Sequence, residues 1–371
     1  MIFKNKGEWN ELYVSFRFLA TGRMDNADEF GNKTGDYLEI TKIFREDDDG
    51  IKSYVRDIAT NSVKIFVRGN YVKSVLFSDF HNAANDLFYF LKLGRNRPQI
   101  QQFLQQNPKN KQGFPIPEIE NFMNVILMNT VSQSSAHKAD IEFEIKDIHT
   151  GSQSRVAYSI KSNFKNGKAT LINASSATNF VYKLHNINDI HMNNINSIST
   201  TSKIIDRINY MNINNIQMQF VGTFRPLAKQ NLRRVDTIMP EILSELLKIH
   251  YVTGKTSVKE VVQILTNADP FQYQDPYAYI YKFKKLLTAC SLGLDIGKRW
   301  DGLEEATGGM IIVDDVGDII AFHLYNRNLF EEFLFNSVKF ERGSTSKHNF
   351  ATVYKVNNDY YFNLNLQIRY F

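Results

Sequence analysis

The chain has 371 residues, of which 43% are hydrophobic and 22% are charged. This composition is typical of a globular protein with one large or two moderate domains, and it excludes an intrinsically disordered chain. The net charge of +5 permits a nucleic-acid partner without requiring one. Because Cys290 is the one cysteine, an intrachain disulfide and a zinc site built from cysteines are also excluded.

The sequence contains no apolar run of about eighteen residues, the length that a membrane-spanning helix needs. The N-terminal residues lead into an amphipathic helix rather than the apolar stretch of a signal peptide. We therefore expect a cytoplasmic protein.

The first third of the chain combines one helix with a β-rich stretch. Apolar residues from Trp9 to Ala20 recur at helical spacing, which predicts a helix from Gly7 to Thr21 that ends at Gly22. Alternating patterns then predict four strands and a helix: Tyr37–Phe44, Ser53–Ile58, Val63–Val67, Tyr71–Phe77 and a helix over Asp79–Leu93. The acidic run from Glu46 to Gly50 predicts a solvated hairpin turn rather than a metal-binding loop.

The remainder mixes helices and strands. Residues 99–116 are rich in Gln, Asn and Pro and suggest a connection, and Pro117 opens a helix with two glutamates in its first turn. A hairpin follows over residues 140–162, and residues 186–215 are rich in Asn and Ile without a clear period. The other predicted elements are a helix over Lys168–Leu184, a strand over Gln217–Phe224, helices over Ile238–Val252, Ser257–Asn267 and Asp275–Ser291, and strands over Met310–Val313, Ile319–Leu324, Thr352–Val356 and Tyr360–Leu366.

The hairpin at residues 140–162 carries the most informative pattern. Side chains alternate between the faces of a strand, so Asp140 shares a face with Glu142 and Glu144. In the second strand Ser159 and Lys161 share a face, and pairing the strands brings Asp140 to them. A lysine at the end of an apolar strand is costly unless its charge is needed there. The pattern fits either a metal-dependent phosphodiesterase centre or an ordinary amphipathic hairpin with a solvated face.

The hairpin resembles the PD-(D/E)XK nuclease signature, and its surroundings resemble the HpaII family of type II restriction endonucleases. The resemblance follows the chain in order through these segments: Asn5-Lys-Gly-Glu-Trp-Asn-Glu-Leu-Tyr13, Lys138-Ala-Asp-Ile141, Tyr158-Ser-Ile-Lys-Ser162, Thr170-Leu-Ile-Asn-Ala-Ser-Ser-Ala-Thr-Asn-Phe180, and a C-terminal group of His323-Leu-Tyr-Asn-Arg327, Ser344-Thr-Ser-Lys-His348 and Asn363-Leu-Asn-Leu-Gln-Ile-Arg369. The family implies cleavage of double-stranded DNA at CCGG with a divalent metal.

The resemblance also implies roles for residues of the hairpin. Asp140 and the main-chain carbonyl of Ile160 would bind the metal, for which Mg²⁺ suits the oxygen ligands. Lys161 would orient or deprotonate the attacking water and stabilise the developing charge. Ser159 departs from the signature, which often has Glu or Asp there, so a second carboxylate should come from elsewhere. Glu11 is the first candidate for this catalytic ligand.

Two other glutamates remain alternatives for the second carboxylate, Glu8 on the first helix and Glu142 on the Asp140 face. The sequence around Glu11 fits an exposed surface glutamate as well as it fits a metal ligand. The DNA contacts are expected from the segments of the resemblance that follow the hairpin. The candidates are Asn173, Asn179, Arg342, Ser344, Ser346, Lys347 and His348. Asn173 and Asn179 could instead brace the strand, and a basic stretch from Arg225 to Arg234 fits a DNA contact or a solvated helix start equally well.

The predicted fold class is mixed α/β (α+β): a PD-(D/E)XK core with a central mixed sheet flanked by helices, an N-terminal β-rich insertion and a helical segment. We expect a first core helix and connection over residues 1–34, a β-rich region over 35–116, the nuclease core over 117–235, and a helical segment with C-terminal strands for DNA recognition over 236–371. The alternatives are a repair or modification-dependent nuclease with the same core and a non-catalytic DNA-binding protein. A palindromic target favours a homodimer, and a monomer that nicks each strand in turn is the other possibility.

Overall fold

A computed structural model describes residues 2–47, 49–106, 113–132, 139–162, 169–342 and 350–371. The chain divides into two units. The first comprises Met1–Ala169 and Glu305–Phe330, and the second comprises Thr170–Glu304 and Glu331–Phe371. Within the described ranges, no helix is long and apolar enough to cross a membrane.

Helices and strands alternate along most of the chain. The strands are β1 (Arg23–Ala27), β2 (Lys33–Asp47), β3 (Gly50–Asp57), β4 (Ser62–Val67), β5 (Asn70–Leu76), β6 (Ile141–Asp147), β7 (Gln153–Ser162), β8 (Thr170–Ile172), β9 (Asn179–His185), β10 (Gln217–Thr223), β11 (Gly309–Val313), β12 (Ile319–His323), β13 (Val338–Phe340), β14 (Tyr354–Val356), β15 (Asp359–Asn365) and β16 (Ile368–Tyr370). The helices are α1 (Lys6–Thr21), α2 (Phe77–Leu93), α3 (Pro98–Gln106), α4 (Pro117–Val125), α5 (Asp189–Ser197), α6 (Lys203–Ile213), α7 (Pro226–Val235), α8 (Met239–Thr253), α9 (Val258–Ala268), α10 (Ala278–Leu292) and α11 (Arg327–Ser337).

The first unit contains a mixed sheet in the order β1-β12-β11-β7-β6-β2-β3-β4-β5. The β1–β12 and β11–β7 pairs are parallel and the other pairs are antiparallel. Because β1 also pairs with β2, the six strands from β1 to β2 in that order close on themselves. The catalytic candidates of β7 therefore lie on a strand with neighbours on both sides.

Helix α1 packs on one face of this sheet, which we call the inner face. Its N-terminus is closed by a capping box, in which Asn5 accepts from the backbone of Glu8 and Glu8 accepts from the backbone of Asn5. Gly22 ends the helix with φ of 67°, a conformation that favours glycine. The apolar residues of α1, beginning at Trp9, are buried and belong to a core cluster that includes Phe143, Tyr158 and Ile160 of the sheet.

A β-bulge between Ile40 and Lys42 shifts the alternation of β2. Beyond it, Ile43 and Arg45 point to the inner face and are buried, whereas Lys42 is half-buried and points to the opposite, outer face. The bulge thereby sets the register of the second half of β2 against β6.

The second unit contains two smaller antiparallel sheets and most of the helices. Strand order is β10-β9-β15-β14 in one sheet and β13-β16-β8 in the other. Helix α8 contributes a continuous buried surface, and the hydroxyl of Tyr182 on β9 donates to the carbonyl of Ser244 on α8 at 2.8 Å.

Most predicted elements are present, with ends that differ by a few residues. The predicted helix over Lys168–Leu184 is wrong, because residues 170–172 and 179–185 are strands β8 and β9. The buried residues Phe180, Tyr182 and Leu184 recur at every second position, the period of a strand rather than a helix. The connection predicted over residues 99–116 is wrong in its first part, where helix α3 ends at Gln106. The region without a prediction, residues 186–215, contains helices α5 and α6.

Candidate active site

The predicted hairpin is present as strands β6 and β7. They pair antiparallel with Ile141 opposite Tyr158, and Asp140 comes directly before this first paired residue. Strand β6 begins only at Ile141, whereas β7 continues to Ser162 and pairs there with β11. Within the described residues, therefore, no strand pairs with the end of β7 on the side of β6, and we call this position the gap.

The Asp140 side chain fills part of this gap. Its Oδ2 accepts a hydrogen bond from the backbone N–H of Ile160 at 2.6 Å and another from the Ser159 hydroxyl at 3.3 Å. Its own N–H donates to the carbonyl of Tyr158 at 3.0 Å. Because the N–H and C=O of one strand residue face the same neighbour, the Ile160 carbonyl also faces the gap. The carboxylate and this carbonyl oxygen thus border one space.

Glu11 on α1 adds a second carboxylate near this space. Burial raises the pKa of Glu11 to about 9, and the negative charges of Asp140 and then Glu8 act in the same direction. The positive charges of Arg45 and Lys161 oppose the rise in pKa. Glu11, Asp140 and Lys161 are therefore close enough to interact electrostatically. A buried carboxylate beside another carboxylate is a feature of functional sites and metal sites.

The two alternative glutamates are engaged elsewhere. Glu8 accepts from the backbone of Asn5 at 2.9 Å and from the Lys4 ammonium at 2.8 Å. Glu142 accepts two hydrogen bonds from the Arg155 guanidinium, at 2.5 and 2.8 Å. These contacts favour Glu11 as the second carboxylate.

A buried polar network on the inner face was not anticipated from the sequence. The Lys52 ammonium, fully buried, pairs with Asp47 at 3.0 Å and donates to the Leu127 carbonyl at 2.5 Å. Asp47 also accepts from the Thr130 hydroxyl at 2.6 Å. The expected solvated turn over Glu46–Gly50 is thus wrong for Asp47, whose side chain is fully buried.

Arg45 extends this network towards Glu11. Its Nη2 donates to the carbonyl of Thr130 at 2.7 Å, and its buried Nε has no hydrogen-bond partner among the residues that the structure describes. The network fixes residues 127–131, which precede Asp140 in the chain. One sequence signal for it was available, since Arg45, Asp47 and Lys52 share the alternation of the buried residues Ile43 and Tyr54.

Tyr158, next to Ser159, is held from the other side by His323. The Tyr158 hydroxyl contacts His323 Nδ1, and His323 Nε2 contacts Asn26 Oδ1 at 2.8 Å. Burial lowers the pKa of His323 to about 4. A Cβ added at Gly308 would lie 2.1 Å from the Tyr158 ring. Gly308 and His323 thus hold Tyr158 beneath the hairpin.

The atoms around the gap are suited to a hard cation. Glu11, Asp140 and the Ile160 carbonyl offer oxygen atoms, which are the ligands that Mg²⁺ prefers. Among the described residues, no group of three or more His, Cys, Asp or Glu side chains could hold a metal. A cation here would therefore rely on two carboxylates, main-chain oxygen and water.

The DNA-contact candidates belong to the second unit. Asn173 is exposed, and Arg342 is exposed with its Nη2 close to Gly254. Asn179 is buried, and its Oδ1 accepts from Asn365 Nδ2 at 2.6 Å. Ser344, Ser346, Lys347 and His348 lie outside the described residues.

Asn365 joins two segments that the sequence analysis singled out separately. Besides Asn179, its amide nitrogen donates to the Ser175 carbonyl at 3.0 Å and contacts the Thr178 hydroxyl at 3.2 Å. The side chain of Asn365 is fully buried. These contacts show that Asn179 braces the turn between β8 and β9.

Comparisons with known proteins extend the similarity along the chain. Residues 5–370 match the family model described as HpaII restriction endonuclease. The type II restriction enzyme HpaII of Haemophilus parainfluenzae is 32% identical over 370 residues, which cover 99% of this chain and 98% of that enzyme. No solved structure matches the chain.

Proposed function

We propose that this chain, which belongs to the HpaII restriction endonuclease family and is a type II site-specific deoxyribonuclease, cuts double-stranded DNA at CCGG with Mg²⁺. The observation that carries the active-site assignment is the gap beside β7. There the Asp140 carboxylate, the Ile160 main chain, Lys161 and Glu11 come together. This grouping combines Lys161, whose charge can bind the phosphate, with oxygen atoms that can bind a metal ion.

We assign the first unit to the PD-(D/E)XK nuclease architecture. In support, a mixed sheet carries a hairpin with Asp140 at the start of one strand and Lys161 near the end of the next. Helix α1 packs on the inner face and brings Glu11 towards the same gap. The helix thus supplies the carboxylate that the signature lacks at Ser159.

Phosphodiester hydrolysis needs an attacking water in line with the leaving oxygen and stabilisation of the charge that develops on phosphate. Asp140, Glu11 and the Ile160 carbonyl would hold Mg²⁺, which supplies positive charge to the scissile phosphate and the attacking water. Lys161 orients the water; as a neutral amine it would accept the proton of the water and become an ammonium, whereas as an ammonium from the start it would stabilise the charge on phosphate. Ser159 supports Asp140 through its hydroxyl.

We also propose that the second unit contributes to DNA recognition. Its candidates differ in what supports them. Asn173 and Arg342 are exposed side chains able to donate to phosphate or base edges. For Asn179, the contact with Asn365 supports an indirect contribution through the β8–β9 turn. Ser344, Ser346, Lys347 and His348 stay candidates on their sequence. A palindromic target would favour a homodimer.

The experiment is a plasmid digest with sequencing of the cut ends. Purified protein is incubated with unmethylated plasmid in Mg²⁺ and, separately, in EDTA. Cuts at every CCGG that require Mg²⁺ support the proposal. Ends at another sequence would overturn the target, and cutting of CpG-methylated plasmid alone would indicate a modification-dependent nuclease. No cutting at any dose of folded protein would indicate a non-catalytic DNA-binding protein.

A further inference from the structure

Two of the proposed catalytic side chains point to the outer face of the first unit's sheet. By the alternation of β7, Ser159 and Lys161 point away from the inner face, on which Tyr158 and Ile160 are packed. Asp140 precedes β6 and accepts from the Ser159 hydroxyl at 3.3 Å. A scissile phosphate bound to Asp140 and Lys161 would lie at the end of β7, where flanking phosphates of the same DNA strand come within reach of the outer-face residues along β7.

A cluster of two cations around one aromatic ring lies on this face. The Arg155 guanidinium carbon is 4.0 Å from the centroid of the Phe44 ring, and the Lys42 ammonium is 4.6 Å from it. Cations held over aromatic rings keep their charge while losing some side-chain freedom. We call Lys42, Phe44 and Arg155 the outer-face cluster.

The position of the outer-face cluster follows from strand pairing. Phe44 pairs with Glu142, and Glu142 pairs with Ala157, two residues before Ser159. Arg155 lies four residues before Ser159, which is about 13 Å along a strand. Phosphates follow one another every ~3.4 Å of helix axis along each DNA strand. The outer-face cluster therefore lies within reach of phosphates a few nucleotides from the scissile one.

The charges of the outer-face cluster suit a phosphate partner. The Arg155 side chain is 54% exposed and is held in place by Glu142. In the described part of the chain, no carboxylate pairs with the Lys42 ammonium. A guanidinium oriented in advance and an unpaired ammonium are both favourable for a phosphate diester.

We propose that Lys42 and Arg155 bind backbone phosphates flanking the scissile bond of the substrate DNA. This inference rests on the proposed function, because it takes the direction of DNA approach from Asp140 and Lys161. Glu142 orients Arg155 before DNA binds. The contact is to phosphate and is independent of base sequence.

The test measures DNA affinity in EDTA, so that cleavage does not enter. Fluorescence anisotropy with a CCGG duplex and a scrambled duplex, over a range of salt concentrations, is compared for the natural protein, Lys42→Gln, Arg155→Gln and the double variant. The matched control is Lys92→Gln, because Lys92 lies 4.6 Å from the Phe88 ring on helix α2. Each phosphate contact contributes about 0.9 to the slope of log affinity against log salt.

We expect the slope to fall in magnitude by about 0.9 in each single variant and about 1.8 in the double variant. Both duplexes should lose affinity alike, by about tenfold or more in the double variant at low salt, and Lys92→Gln should match the natural protein. An unchanged slope in the folded double variant would overturn the inference. The inference would also be overturned if the natural protein is a dimer and the double variant is a monomer with an unchanged slope. That result would mean that the outer-face cluster binds a second copy of the chain rather than DNA.

Two further readouts keep the interpretation unambiguous. If the double variant unfolds, the salt slope of Lys42→Gln decides whether the inference holds. This variant should fold, because within the described residues the substitution removes no ion pair. Cleavage of the CCGG duplex by the natural protein in Mg²⁺ is assayed in parallel. Cleavage with unchanged salt slopes refutes only the outer-face cluster, whereas absence of cleavage refutes the proposed function.

Discussion

The Asp140 carboxylate accepts a hydrogen bond from the backbone N–H of Ile160 at 2.6 Å. Asp140 directly precedes strand β6, so its side chain occupies the position beside β7 that a backbone partner would take. This bond fixes the carboxylate against the end of β7 and leaves its other oxygen for a different partner. The Ser159 hydroxyl contributes a hydrogen bond to the same carboxylate rather than a charge.

Replacement of Asp140 should separate cleavage from DNA binding. Asp140→Asn keeps an oxygen that can accept from Ile160 but removes the negative charge. We expect cleavage to fall by about a thousandfold or more, because the metal loses a charged ligand. Binding in EDTA should be equal or tighter, since the charge that repels phosphate is gone. Single-turnover cleavage and anisotropy on one duplex measure both quantities.

Lys161→Ala provides the complementary control for that experiment. It should reduce cleavage by a similar factor. DNA binding in EDTA should weaken only slightly, because one positive charge is lost. Persistent cleavage in Lys161→Ala would contradict the assigned role. Tighter binding in both variants would show that the charge of Asp140 is not the reason for the effect.

The hairpin and its pairing were predictable because strand alternation and a glycine-containing polar loop specify them locally. The buried Lys52–Asp47 pair was missed, because a lysine and an aspartate that flank an acidic turn look like a solvated surface even though they share the alternation of the buried Tyr54 and Ile43. The strands β8 and β9 are short and are separated by the polar residues 173–178, so their alternation does not stand out in the sequence. Ser175, Thr178 and Asn179 belong to a turn that Asn365 completes from a distant part of the chain.

Glu11 should make the metal-free protein less stable at alkaline pH. Its pKa is raised from 4.5 to about 9 by burial and by Asp140. The folded state therefore holds one more proton than the unfolded state between these values, and stability falls as pH rises through that window. Glu11→Gln should remove this loss and raise the free energy of unfolding by roughly 1 to 3 kcal/mol at pH 8.5 in EDTA.

The same substitution should impair metal-dependent cleavage. Denaturant unfolding in EDTA from pH 5 to 9 gives the stability curves, and cleavage against Mg²⁺ concentration gives the metal requirement. Glu8→Gln is the control, because Glu8 closes the capping box of α1. Its glutamine can still accept from the backbone of Asn5, so stability should change little. The pH dependence should flatten only slightly, because the charge of Glu8 raises the pKa of Glu11 less than burial and Asp140 do. Parallel curves for Glu11→Gln and the natural protein would refute the assignment.

The buried charges of Lys52 and Asp47 should each destabilise the protein when the other is removed. Lys52→Met leaves the Asp47 carboxylate buried without its ammonium, and we expect a cost of about 3 to 5 kcal/mol. Adding Asp47→Asn should recover part of that loss, because no unpaired buried charge remains; Asp49, the other partner of Lys52, is half-exposed. Urea unfolding of the natural protein, both single variants and the double variant measures the coupling. Additive costs would show that the two charges do not depend on each other.

His323 should contribute to acid unfolding through its contact with Tyr158. Burial lowers the pKa of His323 from 6.5 to about 4, so the folded state keeps it neutral while the unfolded state binds a proton. Stability from this group is fully present above pH 6.5 and is lost as pH falls towards 4, by up to about 3 kcal/mol. His323→Gln should lower stability at pH 7, because Tyr158 loses its partner, but should flatten the decline between pH 6.5 and 4. The slope is the decisive quantity, since a packing defect lowers the curve without changing its slope. His149→Gln, at a side chain that is 70% exposed, should leave the slope unchanged, and an equally steep decline in His323→Gln would show that His323 does not carry the acid sensitivity.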